Sequence, residues 1–193
     1  MVDRALQEFE TIQSKLLAGM LEFRKKHPSF DEAFSTYTAQ YGESSVKVNE
    51  PFKISDTIDP VVIILGRTTP LFYRDSKMTL AGSLGSVPIQ RGQVYIFGRR
   101  EPPDSKLVVW SSTEESEVEH YDSRTRIIPS RIHAAIVALE SGEVLFTDLG
   151  SSSGSILAGE TSKPEPFITL YSSPSVGVHR VVIPSKYAGK GRM

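Results

Sequence analysis

Three short runs in this chain carry the residue types that hold a phosphate: Gly98-Arg99, Ser130-Arg131-Ile132-His133, and Asp148-Leu149-Gly150-Ser151-Ser152-Ser153-Gly154-Ser155. Each joins an apolar stretch to a turn bearing a guanidinium or hydroxyls. A guanidinium presents parallel N–H donors to two phosphate oxygens, and hydrogen bonds to an ionised oxygen are about twice as strong as neutral ones. Together the runs describe a phosphate-recognising end of a β-sandwich.

Other chemistry has weaker support in the sequence. Gly150-Ser151-Ser152-Ser153-Gly154 satisfies the G-x-S-x-G pattern of a hydrolase nucleophile elbow. That elbow needs a strand, a sharp turn and then a helix, whereas Ser155 to Gly159 is short and bounded by glycine, with Glu165 and His179 as the only obvious later partners. The four histidines, His27, His120, His133 and His179, show no metal-ligand spacing.

The elements that must position these runs are readable. Val2, Leu6, Phe9, Ile12, Leu16, Met20 and Phe23 recur at steps of three and four, the spacing of one helix face. A second helix follows: Ser29 and Glu32 form a capping-box pattern beside Pro28, and Gly42 supplies a stop after Phe34, Tyr37 and Tyr41. Residues 1–42 thus read as a helical hairpin. Residues 43–59 lack a sustained period and contain Pro51, so they read as a linker or extended connection.

Beyond it the texture changes. Short runs rich in valine and isoleucine cover Val61–Leu65, Val87–Gln90, Gln93–Phe97, Lys106–Trp110, His133–Leu139, Glu143–Thr147, Phe167–Tyr171 and Val178–Ile183, separated by glycine, proline and serine. Without helices between them, they indicate an antiparallel sandwich over 60–185. Ala134–Leu139 and Glu143–Asp148 flank Glu140-Ser141-Gly142 as a hairpin, with Ile136 and Phe146 on one face and Val137 and Leu145 on the other.

Composition sets the outer bounds. The chain has 193 residues, 39% hydrophobic, with a net charge of -1 from 22 basic and 23 acidic side chains. No global field draws it to nucleic acid or an anionic membrane, so any anion site is local. It has no cysteine, which removes disulfides, thiolate metal sites and cysteine nucleophiles. No signal-type or membrane-spanning segment is evident, and a cytoplasmic protein is expected.

In their order along the chain, Ile96-Phe97-Gly98-Arg99, Ser130-Arg131-Ile132-His133 and Asp148 to Ser155 resemble the forkhead-associated (FHA) domain, over roughly residues 60 to 183, with a longer stretch between Arg99 and Ser130 than the family pattern needs. The resemblance implies an FHA/SMAD-like β-sandwich whose end loops read phosphothreonine. It implies that Arg99, Ser130 and Arg131 contact the phosphate, and that Ser152 stands at the family's threonine position beside it. Gly98, His133 and Gly154 become structural supports, with the His133 ring tying the loops together. Ser153 stands where the family has an asparagine that grips the ligand backbone; serine is shorter and lacks the amide's paired donor and acceptor.

Each residue also has a plainer reading. Arg99 could be a solvated arginine at a strand end, Ser130 the start of a turn after Pro129, and the serine run simply a loop. Gly66-Arg67 imitates the Gly-Arg signature after another apolar strand, and Arg100 is an adjacent rival that a bulge would exchange with Arg99.

Three segments remain. The hydroxyl-rich, acidic stretch Ser111–Glu119 reads as a solvated excursion, or as an acidic stand-in competing for Arg99 and Arg131. The stripe from Phe9 to Phe23 packs within the molecule or pairs with a second copy. Residues 186–193 form a basic tail too small for nucleic acid. The expected function is a phosphothreonine-dependent protein-binding adaptor in intracellular signalling, with no catalysis and no cofactor. A phosphate-independent structural interaction domain is the alternative, and a serine hydrolase comes third.

Overall fold

The structure, a computed structural model, describes residues 4–100, 105–161, 166–171 and 178–182, with side chains over 6–55, 60–100 and 105–159. Helix α1 spans Arg4–Lys26 and buries Ile12, Leu16, Met20 and Phe23 of the periodic stripe, while Leu6 of the same stripe is exposed. Arg24, Lys25 and Lys26 fall in its last turn, where cations complement the exposed carbonyls. No described helix is long and apolar enough to cross a membrane.

Helix α2 spans Pro28–Tyr41 and stops at Gly42, whose φ of 88° suits glycine and whose N–H reaches the Thr38 carbonyl. The expected capping box does not form. His27 is the N-cap and Pro28 opens the helix, which places Ser29 inside it. The Ser29 hydroxyl instead accepts the Trp110 indole N–H at 2.9 Å and donates to the Glu115 carboxylate, joining α2 to the sheet beneath.

Thirteen strands are described: β1 (Phe52–Lys53), β2 (Thr57–Leu65), β3 (Leu71–Arg74), β4 (Thr79–Ala81), β5 (Ser86–Pro88), β6 (Val94–Arg99), β7 (Lys106–Trp110), β8 (Glu115–His120), β9 (Ala134–Ala138), β10 (Val144–Asp148), β11 (Ser155–Thr161), β12 (Pro166–Tyr171) and β13 (Val178–Val182). They form two sheets with every pairing antiparallel. One sheet has the order β1-β10-β9-β6-β7-β8, the other β13-β12-β11-β2-β3-β4-β5. Segment 43–59 thus contains β1, a 3-10 turn at Ile54–Asp56 and the start of β2. The tail at 186–193 and Ile183 lie outside the described residues.

Alternation along the six-stranded sheet divides its side chains between two cores. Tyr95, Phe97, Leu107, Val109, Ile136 and Phe146 face the other sheet and pack with residues such as Val61, Ile63 and Leu71. Ile96, Val108, Trp110, Ala135 and Val137 share a second core with both helices. A strand covered on both faces carries no polar side, which is why Ala134 to Ala138 is an unbroken apolar run. The hairpin register pairs Phe146 with Ile136 and Leu145 with Val137. From Ile12 to Phe23 the α1 stripe is therefore packed within the molecule.

The acidic stretch is not a solvated excursion. Glu115–His120 is strand β8, paired with β7, and Val118 is fully buried in the sandwich core. The Glu119 carboxylate accepts the Ser83 N–H at 2.8 Å and hydroxyl at 2.6 Å. Burial pushes its pKa up, but the hydrogen bonds from Ser83 and His120 outweigh that and hold it below the ordinary value. Alternation explains the sequence: Glu115 and Glu117 meet Arg100, just past the end of β6, and Glu117 meets Lys106 on β7, while Val118 turns inward. Charge on this edge strand also discourages pairing with another sheet.

Truncating the shared helix–sheet core tests its contribution. Leu16→Ala is expected to lower the unfolding free energy by about 2–5 kcal/mol, with Trp110 fluorescence and helical circular dichroism lost in one urea transition.

Candidate functional site

The site begins with a backbone contact. The segment entering β9 lies so close to β6 that a β-carbon on Gly98 would stand 1.8 Å from the Arg131 carbonyl oxygen and 2.8 Å from the Trp110 ring. Only glycine permits this approach. Two hydrogen bonds zip the segment to the strand end, from His133 N–H to the Phe97 carbonyl at 2.8 Å and from Arg99 N–H to the Ser130 carbonyl at 3.1 Å. Arg99 is thereby set beside Ser130, its neighbour in space across 31 residues of chain.

His133 fastens the next pair of loops. Its ring is wholly buried; Nδ1 accepts the Ser130 N–H at 2.9 Å, and Nε2 meets the Gly154 carbonyl at 2.8 Å. The first partner is a donor and the second an acceptor, which assigns the neutral ring with its proton on Nε2. Burial pushes the His133 pKa down, against the opposing pull of the Asp148 charge and the Gly154 bond.

Asp148 organises the serine turn. Its buried carboxylate accepts from Ser151 N–H at 2.8 Å, Ser151 Oγ at 2.6 Å, Ser155 Oγ at 2.6 Å and the Asn49 amide at 3.3 Å. The Ser151 hydroxyl in turn accepts the Gly154 N–H at 3.0 Å, closing a turn in which Gly154 takes a φ of 75°. Ser151 and Ser155 are therefore internal, while Ser152 is exposed at the turn's tip. Its N–H donates to Ser130 Oγ at 3.0 Å and the two hydroxyl oxygens lie 3.3 Å apart. Because Ser130 Oγ accepts there, its own proton is left to donate.

Arg99, Ser130, Arg131 and Ser152 line one pocket of about 210 Å³. Ser153 does not join them, since its hydroxyl donates to the Ile128 carbonyl at 2.8 Å and steadies the preceding loop. The opposite wall belongs to α2, through Thr36, Tyr37, Gln40 and Tyr41. Arg131 Nη1 donates to Thr36 Oγ1 at 2.8 Å, and the Tyr41 hydroxyl donates to the Gly150 carbonyl at 2.7 Å. Burial raises the pKa of both tyrosines and keeps them neutral; the Tyr37 hydroxyl accepts the Lys47 N–H at 2.7 Å. Among the described residues no carboxylate lines the pocket, and its two guanidinium residues and the hydroxyls of Ser130 and Ser152 suit an anion.

The α2 wall has no counterpart among the sequence candidates. Its one signal was the Tyr37 and Tyr41 pair at helical spacing, which reads equally as helix core. The rival arginines are accounted for elsewhere: Arg100 pairs with Glu115 and Glu117, and Arg67 is exposed on a loop outside the pocket lining. The carboxylates of Glu115 and Glu117 are held by Arg100 and Lys106, so they do not stand in for a ligand at Arg99 and Arg131. The G-x-S-x-G turn leads into β11 instead of a helix, and His133 bonds the Gly154 carbonyl instead of a serine hydroxyl. Compared with protein-family models, curated proteins and solved structures, the chain matches none.

Two measurements test this construction. Gly98→Ala is expected to cost about 1–3 kcal/mol of stability through overpacking, measured by urea unfolding. For His133, the folded pKa lies below the unfolded value of about 6.5, so as pH falls the unfolded chain takes up the proton first. The stability contributed by the neutral ring is complete above that value and declines below it. Unfolding at pH 7.5 and pH 5.5 should show this fall in the parent protein and a smaller one in His133→Gln.

Proposed function

We propose that this protein is a phosphothreonine-dependent protein-binding adaptor working in intracellular signalling in the cytoplasm, binding its partner without transforming it. One observation carries the reading: Arg99, Ser130, Arg131 and Ser152, from three separate stretches of chain, line a single pocket with no carboxylate among its described lining residues. The order of the Gly-Arg, Ser-x-x-His and serine-turn motifs, which resembles the forkhead-associated domain, supports the same reading, as does a sandwich-like pair of antiparallel sheets.

The preference for phosphothreonine has support in the lining itself. Ile128 and Pro129 stand beside the anion-binding side chains and offer apolar surface for the methyl group that phosphoserine lacks. Burying one such group is worth about 0.8 kcal/mol, a several-fold preference.

Calorimetric titration with matched phosphothreonine, phosphoserine and unphosphorylated peptides tests the proposal. Affinity is expected to fall in that order, with the unphosphorylated peptide silent. Arg99→Ala should abolish phosphate-dependent binding and leave the unfolding midpoint in place, and Ser130→Ala should weaken it by about 1–3 kcal/mol. Equal affinity for phosphorylated and unphosphorylated peptides would favour a phosphate-independent interaction domain.

A further inference from the structure

We infer that helix α2 reads the backbone of the phosphorylated segment, and that the Gln40 side-chain amide is the group that sets how the ligand lies. The inference rests on the phosphate reading of the pocket and assigns its opposite wall.

A phosphorylated residue arrives on a chain whose own N–H and C=O groups must be satisfied as water is displaced. A carboxamide matches a peptide group, offering one acceptor and two donors. Gln40 is the one residue in the pocket lining with a side-chain amide. It is exposed, and its Nε2 donates to the Tyr41 hydroxyl at 2.9 Å, which itself donates to the Gly150 carbonyl at 2.7 Å. This relay holds the amide to the same turn that carries Ser152. Gln40 makes no other hydrogen bond among the described residues, so its carbonyl oxygen and second N–H are available to a ligand.

The turn on the phosphate side offers no equivalent group, because the Ser153 hydroxyl is committed to the Ile128 carbonyl. Thr36 stands one helical turn before Gln40 on the same face and accepts from Arg131, which keeps α2 in register with the phosphate donors. Beneath that face, Phe30, Ala33, Phe34 and Tyr37 are buried against the six-stranded sheet. The wall is thus rigid, and a group held ready in its binding geometry loses little freedom on association. The helical hairpin is accordingly half of the reading surface, and its sequence sets the preference for residues flanking the phosphothreonine.

The test separates backbone reading from phosphate binding. A phosphothreonine peptide selected from a library is titrated by calorimetry, and inorganic phosphate by nuclear magnetic resonance, against the parent protein, Gln40→Ala and Arg99→Ala. Gln40→Ala is expected to weaken the peptide about tenfold, the effect of two neutral hydrogen bonds, while leaving inorganic phosphate affinity and the unfolding midpoint unchanged. Arg99→Ala should lose both ligands. Backbone N-methylation of the peptide, position by position, should find one site whose modification weakens the parent but not Gln40→Ala. Unchanged peptide affinity in Gln40→Ala overturns the inference, as does a parallel loss of inorganic phosphate binding, which would mean that Gln40 acts only by steadying the Gly150 turn. A parent protein that binds neither ligand overturns the phosphate reading and this inference with it.

Discussion

The backbone at Arg131 runs against Gly98 with no room for a β-carbon, and the loop so held presents the Ser130 N–H to a buried imidazole. The sandwich side of the pocket follows from that pair of contacts. The first brings Arg99 beside Ser130. The second ties Ser130 to Gly154 through His133, and Gly154 belongs to the turn that carries Ser152. A buried neutral ring that donates to one loop and accepts from the other can fix two polar backbones at once, without the large cost of burying a charge. Asp148 completes the support with a carboxylate whose oxygens are each doubly satisfied by groups of the turn and its neighbour Asn49.

A different constraint gives the pocket its second wall. The six-stranded sheet is apolar on both faces, so it must be covered twice, once by the other sheet and once by the helices. Covering the outer face with a hairpin puts the C-terminal half of α2 over the loop end of the sandwich, where Tyr41 meets Gly150 and Thr36 meets Arg131. The demand to bury Ile96, Val108, Trp110 and Val137 therefore also decides what surrounds the pocket. Core packing and pocket shape are one arrangement here, because the helix that seals the core also bounds the pocket.

Legibility in the sequence followed local chemistry. Strands β1, β3, β4 and β11 carried no mark in the sequence; β2, β5, β6, β7, β9, β10, β12 and β13 were marked by apolar runs, α1 by its period, and α2 by the Pro28, Ser29 and Glu32 pattern and the Gly42 stop. Strand β8 was not, because its edge position lets charge alternate with a single inward valine, and such a pattern resembles a solvated loop until Arg100 and Lys106 are seen opposite it. The capping box at Ser29 failed for a related reason. A hydroxyl within reach of both a helix N-terminus and an indole N–H is assigned only when the indole's position is known.

The sequence by itself determined that the chain alternates between strand and turn after a helical hairpin, that no cysteine chemistry is available, and that guanidinium and hydroxyl groups sit at the ends of apolar runs. These are properties of neighbours along the chain, governed by period, composition and turn chemistry. Tertiary structure alone decided that Arg99, Ser130 and Ser152 converge, that Ser153 turns away to Ile128, and that α2 faces them with Gln40. Those outcomes depend on which sheet face each helix covers and how closely two backbones approach, quantities set by packing between residues distant in sequence.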